Sequence, residues 1–328
     1  MRKALFIVCI CLCSAMQAQM RIISYNVENL FDTKHDSLKL DEDFTPEGKY
    51  KWSKSRYNRK LENLSRVIVS TSGWQNAAVV GLCEVENEQC LKDLINIGGL
   101  KRLGYKYIHQ ESPDQRGIDC AILYDPEQFK LLDSRFIPVV LPEGERPTRD
   151  IVYASGEVNL QSSTSRHHNH RADTLHVMMC HLPSQLGGTE QTAFKRAIAH
   201  RVLQSAVDSI LRVQPNAKIV IMGDMNSTPT DHLRGMHNLM VPLEKELKGE
   251  AGTHKWQGVW SCLDQFYVSE SLYDKAKAMI YDESWIMERD RKFGGEQPMR
   301  CYNYTTWQPG YSDTLHVMMC HLPSQLGG

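Results

Sequence analysis

The sequence predicts an α/β protein built on mixed β-sheets with helices over their outer faces, and three observations lead there. Apolar runs of strand length outnumber segments with helical periodicity. Successive strands are joined both by turns and by helices, which calls for parallel and antiparallel pairing together. The run Ile219-Val220-Ile221-Met222 has no polar alternation, so it reads as a strand buried on both faces. The 328 residues, 41% hydrophobic and 23% charged, suit one large globular domain or two small ones and argue against disorder. Lys and Arg number 38 against 39 for Asp and Glu, so no overall positive field draws the chain to a polyanion; a basic groove would have to be local.

Residues 1–18 read as a secretory signal peptide. Arg2 and Lys3 precede an apolar run from Ala4 to Cys13, followed by small and polar residues up to Ala18. The run is too short to span a bilayer, and no small residue directly precedes Cys9, Cys11 or Cys13, which argues against a lipoprotein anchor. The expected location is therefore secreted or periplasmic, with no transmembrane segment, and a monomer is expected. Of the ten cysteines, seven lie beyond the leader. Cys83, Cys120 and Cys180 sit in apolar runs, which favours mostly free thiols over a disulfide framework.

Residues 21–27 form a first strand, and 28–52 read as a long polar surface loop. A helix follows, capped by Ser53 or Ser55, with Tyr57, Leu61, Leu64 and Ile68 at helical spacing and Gly73 as its stop. Residues 77–83 are a buried strand that delivers Glu84 to a rim. Further strands are expected at 105–109, 119–124, 129–140, 152–160 and 175–182. A second long helix spans about 189–213, with Ala199, Leu203, Ala206 and Ile210 as its inner stripe. The apolar strand then runs into Gly223-Asp224-Met225-Asn226 and sets an acid and an amide at the edge of a core.

Asp173 to Gly188 reads DTLHVMMCHLPSQLGG, and Asp313 to Gly328 repeats the same sixteen residues. Structural repeats diverge and recur at regular periods, whereas this one occurs twice and ends at the last residue, so a recent duplication or a recombination fits better than a solenoid. The second copy is expected to form a strand from Leu315 to Cys320, leaving His321 onward as a loose end.

Chemistry collects at the predicted strand ends: Asn26 with Asn29, Glu84, His181, Asp224 with Asn226, and Asp264. These are oxygen donors and one imidazole, a set suited to a hard cation such as Mg²⁺. The cluster His167-His168-Asn169-His170 lies beside Arg166 and Arg171 in polar surroundings and reads as a solvated loop. The six tryptophans are scattered and read as packing residues.

Ser24-Tyr25-Asn26-Val27-Glu28-Asn29, Gly81-Leu82-Cys83-Glu84-Val85-Glu86-Asn87, Arg116-Gly117-Ile118-Asp119, His181-Leu182-Pro183-Ser184, Gly223-Asp224-Met225-Asn226 and Leu263-Asp264-Gln265 occur in one order along the chain. In that order they resemble the endonuclease/exonuclease/phosphatase superfamily across residues 19–312. The resemblance implies a four-layer α/β/β/α sandwich and Mg²⁺-dependent hydrolysis of phosphate esters, with Mn²⁺ as a substitute, by in-line attack of water. Carried over by position, it makes Glu84 the principal metal ligand, helped by Asn26 and Asp313. Asn26, Arg116 and Asn226 would contact phosphate. Asp224 would position or deprotonate the water, with His181, Asn226, Asp264 and Asp313 completing the catalytic set. Arg149 is a looser phosphate contact, and Asn29 is read as holding a turn. The substrate implied is nucleic acid or another phosphodiester; a small phosphorylated molecule or a lipid headgroup is the alternative.

The chain departs from the family pattern at its end. Where the family has Ser-Asp-His, this chain reads Ser312-Asp313-Thr314, so Asp264 is expected to lack its histidine partner. His316 is two residues further along, about 6.6 Å away on a strand, and is expected to be out of reach. A catalytically impaired form that still binds metal and phosphate is thus a third reading.

Overall fold

The structure, a computed structural model, describes residues 20–160, 172–185, 187–230 and 232–321. The leader at 1–18, the His167-His168-Asn169-His170 cluster and residues 322–328 lie outside them.

From its start the chain runs through β1 (Met20–Leu30), helix α1 (Lys54–Ser72), β2 (Val79–Val85), helix α2 (Glu88–Ile95), β3 (Lys106–His109) and β4 (Asp119–Tyr124). Next come β5 (Lys130–Ile137), β6 (Ile151–Val158), β7 (Asp173–His181), helix α3 (Thr189–Val213), β8 (Lys218–Asp224), β9 (Met236–Asn238) and helix α4 (Met240–Leu247). A ribbon of β10 (His254–Trp256) and β11 (Val259–Ser261) leads to β12 (Asp264–Ser269), the short helix α5 (Glu270–Tyr273) and β13 (Ala276–Ile280). Two more ribbons, β14 (Met287–Arg289) with β15 (Glu296–Pro298) and β16 (Tyr302–Asn303) with β17 (Thr306–Trp307), precede β18 (Val317–His321). Two six-stranded sheets result, ordered β13-β18-β1-β2-β4-β3 and β5-β6-β7-β8-β12-β9.

The sheets pack face to face through Ile22, Ile122, Val177, Met222 and Phe266. Leu61, Leu64 and Ile68 of α1 cover the outer face of the first sheet, against Tyr25, Val80 and Leu82. Ala199, Leu203 and Val207 of α3 cover the second, against Met178, Ile219 and Ile221. This is the expected order of helices, sheet, sheet, helices. Local chemistry sets the boundaries of α1: Ser53 caps it by accepting the Arg56 amide, and Gly73 at φ +67° ends it.

Residues 28–52 depart from the polar surface loop expected of them. Phe31, Phe44, Tyr50 and Trp52 form an aromatic cluster with Tyr302 and Trp307, and the buried Trp52 donates its indole N–H to the Phe31 carbonyl at 2.9 Å. The polar composition hid aromatic anchors whose partners lie some 250 residues on. The tail strand differs at both ends from the expected 315–320, and residues 322–328 of the expected loose end lie outside the described residues. It starts at Val317 because the Leu315 amide is taken by the Thr253 carbonyl at 2.7 Å, and His321 closes β18 as a buried residue.

The duplicated segment occupies a slot in each sheet. In β7 it lies antiparallel to β6 and parallel to β8; in β18 it lies antiparallel to both β1 and β13. Val177 and Met179, like Val317 and Met319, face the layer between the sheets. All seven cysteines beyond the leader are buried free thiols.

Candidate active site

Strand pairing brings the polar strand ends together. β1 and β2 run parallel with Asn26 beside Cys83, β7 and β8 run parallel with His181 beside Asp224, and β12 returns antiparallel so that Asp264 lies beside Asp224. The ladder breaks between Asn26 and Leu30 and again between Cys83 and Val85. Such bulges re-aim side chains at sheet ends. Glu28, Asn29, Glu84 and Asn226 all have positive φ, between 49° and 67°, a conformation that costs an L-residue energy and concentrates at functional sites. Gly223 is obligatory for a different reason: at φ +138° any Cβ would sit 1.8 Å from the Cys180 carbonyl oxygen.

Asn26 is the hub. Its Nδ2 donates to Glu84 Oε1 at 3.4 Å and to Asp224 Oδ2 at 3.3 Å, while its Oδ1 accepts the Glu28 amide at 3.0 Å. The Asn29 backbone amide donates to Glu84 Oε2 at 2.8 Å. Asp224 Oδ1 accepts the Asn226 amide at 2.8 Å, and Asn226 Nδ2 donates to the Leu182 carbonyl at 3.0 Å. His181 Nε2 lies 3.7 Å from Asp224 Oδ2, too long for a hydrogen bond, and its Nδ1 is buried without a partner.

Charge accumulates here. Burial, followed by Asp313 and then Asp224, pushes the Glu84 carboxyl up, against Arg116 and the Asn29 amide. Burial also raises Asp224, and burial with Asp224, Asp313 and Glu84 raises Asp264 well above the usual range. Burial, then Arg149 and Arg116, hold His181 well below its ordinary pKa, so its imidazole is neutral. Asp313, half-buried, stands near Glu28, and burial followed by that neighbouring charge lifts Glu28 to about 7. Arg116 is half-exposed, 3.5 Å from Asp114, and close enough to act on both Glu84 and His181. Arg149 is a buried strut instead, spending one guanidinium nitrogen on Asp114 and another on the Leu182 carbonyl, each at 3.0 Å.

The sequence profile of the Endonuclease/Exonuclease/phosphatase family matches residues 21–322, nearly the whole described chain. The chain belongs to that family. Solved structures agree on the fold. Truncated TDP2 from Caenorhabditis elegans superposes with a TM-score of 0.57 at 15% identity, covering 93% of this chain and 98% of its own. TDP2 from D. rerio complexed with single strand DNA product gives 0.54 at 16%, with 92% and 98% covered. The Bacteroides thetaiotaomicron mannosyl-6-phosphatase Bt3783 gives 0.51 at 13%, with 92% and 98% covered. Identities this low carry the fold alone. No curated protein sequence matches.

Family members are hydrolases of phosphodiesters or phosphate esters and generally use a divalent metal. The residues here fit one. Four carboxylates gather around Asn26, where Asp313 and Asp224 raise the carboxyls of both Glu84 and Asp264, and both Asp264 oxygens are buried without a hydrogen-bond donor. An oxygen-only donor set crowded with like charge is what a hard dication relieves.

The departure at Thr314 leaves a visible mark. Neither Asp264 oxygen meets hydrogen-bond geometry, although the nearby Thr253 hydroxyl tempers the upward shift of its carboxyl. His316 does not reach the site. Its ring is buried between Tyr25 and Tyr281, with Nε2 2.6 Å from Thr71 Oγ1, because the tail turns inward after Thr314 and points it at α1. The histidine that does stand here is His254, whose backbone bridges to Thr314. Its Nδ1 is buried without a hydrogen bond, and its proximity lowers the Asp224 carboxyl. Nothing in the sequence marked His254, which sits in a three-residue strand with no flanking motif. Gln265 was legible only as part of Leu263-Asp264-Gln265; fully buried, its amide holds the Ser227 and Cys262 carbonyls and accepts from Asn238.

Proposed function

We propose that this chain is a secreted or periplasmic, Mg²⁺-dependent phosphodiesterase that cleaves nucleic-acid strands. One observation carries the phosphodiesterase reading: Asn26 hydrogen-bonds both Glu84 and Asp224 across the two sheets, at a rim shared with His181, Asn226, Asp264 and Asp313. Glu84, Asn26 and Asp313 would hold the metal, which when bound supplies positive charge to a phosphoryl oxygen. Asp224, its carboxyl raised by burial, accepts the proton of the attacking water. Asn226 fixes that water and a phosphate oxygen. His181, kept neutral, donates a hydrogen bond to the phosphate, and the ester oxygen released as its P–O bond breaks takes up a proton from solvent. Arg116 offers its guanidinium to the remaining oxygens.

The nucleic-acid part of the reading rests on the adjoining cleft. A cavity of about 830 Å³ starts at Glu28 and Asn29 and is lined by Arg289, Arg291 and Lys292 and by the exposed rings of Trp256, Phe293 and Tyr304. Cations interleaved with open aromatic faces suit a backbone of several phosphates with stackable bases. The near-neutral net charge instead favours a small phosphoester. Hydrolysis of plasmid DNA, RNA and phospholipid headgroup esters, each with Mg²⁺ and with EDTA, tests the proposal, and a salt titration separates the two readings. Binding through many phosphates weakens steeply with salt, and binding through one does not. Absence of metal-dependent turnover on all three substrates would overturn the reading. Export rests on the 1–18 leader, and N-terminal sequencing of the exported protein checks it.

A further inference from the structure

Apart from the Asn26 hub, a second cluster of metal-type donors closes the end of the strand pair β3–β4. His109 ends β3, Glu111 follows two residues later, and Asp119 opens β4; the antiparallel register sets His109 beside Ala121. One ligand atom from each of His109, Glu111 and Asp119 lies within 4.8 Å of the other two. His109 Nε2 and Asp119 Oδ2 are 3.4 Å apart, on side chains only 3% and 1% exposed. Both atoms are buried and neither makes a hydrogen bond.

Two buried polar atoms left without a hydrogen bond are costly. Their separation is the informative part. Donors held by one tetrahedral ion at bond lengths of about 2.0–2.1 Å stand roughly 3.3–3.4 Å apart, whereas a direct hydrogen bond would draw them to about 2.8 Å. Glu111, at the exposed side, leaves a way in for an ion and for water. Asp150 adds a nearby carboxylate: its Oδ1 is also buried without a partner, and burial together with the Asp119 charge pushes its carboxyl up.

We propose that His109, Glu111 and Asp119 form a second metal site, separate from the Asn26 hub and selective for a borderline dication such as Zn²⁺ rather than Mg²⁺. The imidazole donor sets the selectivity, since Mg²⁺ takes oxygen. The site pins the loop 110–118, which already hangs on Asp119 through the Ser112 amide at 3.0 Å and carries Arg116. Binding of this ion does not depend on which ester the enzyme cleaves.

The test uses the untagged mature chain and Co²⁺ or Zn²⁺ alone as probe. In the Glu84→Gln variant, which weakens the hub, Co²⁺ is expected to give the visible absorption of a low-coordinate nitrogen and oxygen site, and Zn²⁺ is expected to displace it. Adding His109→Gln should remove that absorption and weaken Zn²⁺ binding about 10–100-fold. Glu111→Gln, at an exposed position that spares the fold, should weaken it as well; a circular dichroism spectrum certifies folding of each variant. Absorption unchanged by both substitutions would overturn the proposal and would point instead to the polar stretch His167-His168-Asn169-His170. Absence of any Co²⁺ absorption in Glu84→Gln would overturn it equally, leaving His109 and Asp119 as a plain ion pair.

Discussion

Replacing Thr314 with histidine puts an imidazole back opposite Asp264, and the surroundings of that carboxylate set the size of the gain. Asp264 is fully buried with both oxygens unpartnered, and burial plus three neighbouring carboxylates push its pKa well up, which disfavours its ionised form. An imidazolium beside it restores the ionised form. A missing proton-transfer or electrostatic group is worth about 10²–10⁴ in rate, or roughly 3–5 kcal/mol of barrier at about 1.4 kcal/mol per decade. The opposing cost falls on stability. Thr314 is 6% exposed, and a larger side chain there overpacks at about 1–3 kcal/mol, much of which the new ion pair offsets. Turnover of bis(p-nitrophenyl) phosphate with Mg²⁺ should therefore rise by two to four decades while the melting temperature moves by a few degrees. His254 supplies the control, because it acts on Asp224 and stands beside Thr314. A rate unchanged by Thr314→His, together with a large loss in His254→Gln of the parent, would refute the reasoning and make His254 the working imidazole.

Asp224→Asn should lower kcat by about 10²–10⁴ and leave the melting temperature unchanged or higher, since it removes one of four crowded carboxylates; a parallel collapse of both would mark Asp224 as structural. Mg²⁺ at about 100 times its Kd should stabilise the parent by about 2.7 kcal/mol in urea unfolding and do much less for Glu84→Gln. Burial holds His316 at about 3 in the folded chain, against 6.5 unfolded, so its contribution is complete above pH 6.5 and is lost as pH falls towards 3, because the unfolded chain takes up the proton first. At pH 4 the loss is about 3 kcal/mol, and His316→Gln should flatten that part of the urea-midpoint profile. Gly223→Ala should cost more than about 3 kcal/mol or abolish folding, because the obstructing atom is the Cys180 backbone carbonyl and cannot swing away.

Elements that bury a whole face were legible in the sequence. β8 showed as an unbroken apolar run, α1 as a cap, a stripe and a glycine stop, and α3 as a stripe along the chain expected to be helical. Its buried apolar residues are Ala199, Leu203 and Val207, while Ala206 and Ile210 pack only partly against the core. The site was legible as residue types, because its motifs lie at strand ends. Its geometry was not. The bulges that aim Glu84, and its φ of +67°, come from pairing with β1 and β4 and leave no local trace. The ribbons β10–β11 and β14–β17 were missed because two- and three-residue strands have no period to read, and His254 was missed with them. The place of residues 28–52 depended on Tyr302 and Trp307, far away in sequence.

The twin strands β7 and β18 set the chain a problem of assembly. Each copy turns Val and Met inward and Met and Cys outward, so side chains alone do not tell the folding protein which copy belongs in which slot. Connectivity does. The first copy reaches β6 across a connection of ~14 residues and the second across ~154, a difference in closure entropy of about 2 kcal/mol that favours the native choice. Misassembly in which the tail intercepts β6 is therefore a minor but built-in route, and lengthening the 159–172 connection would widen it.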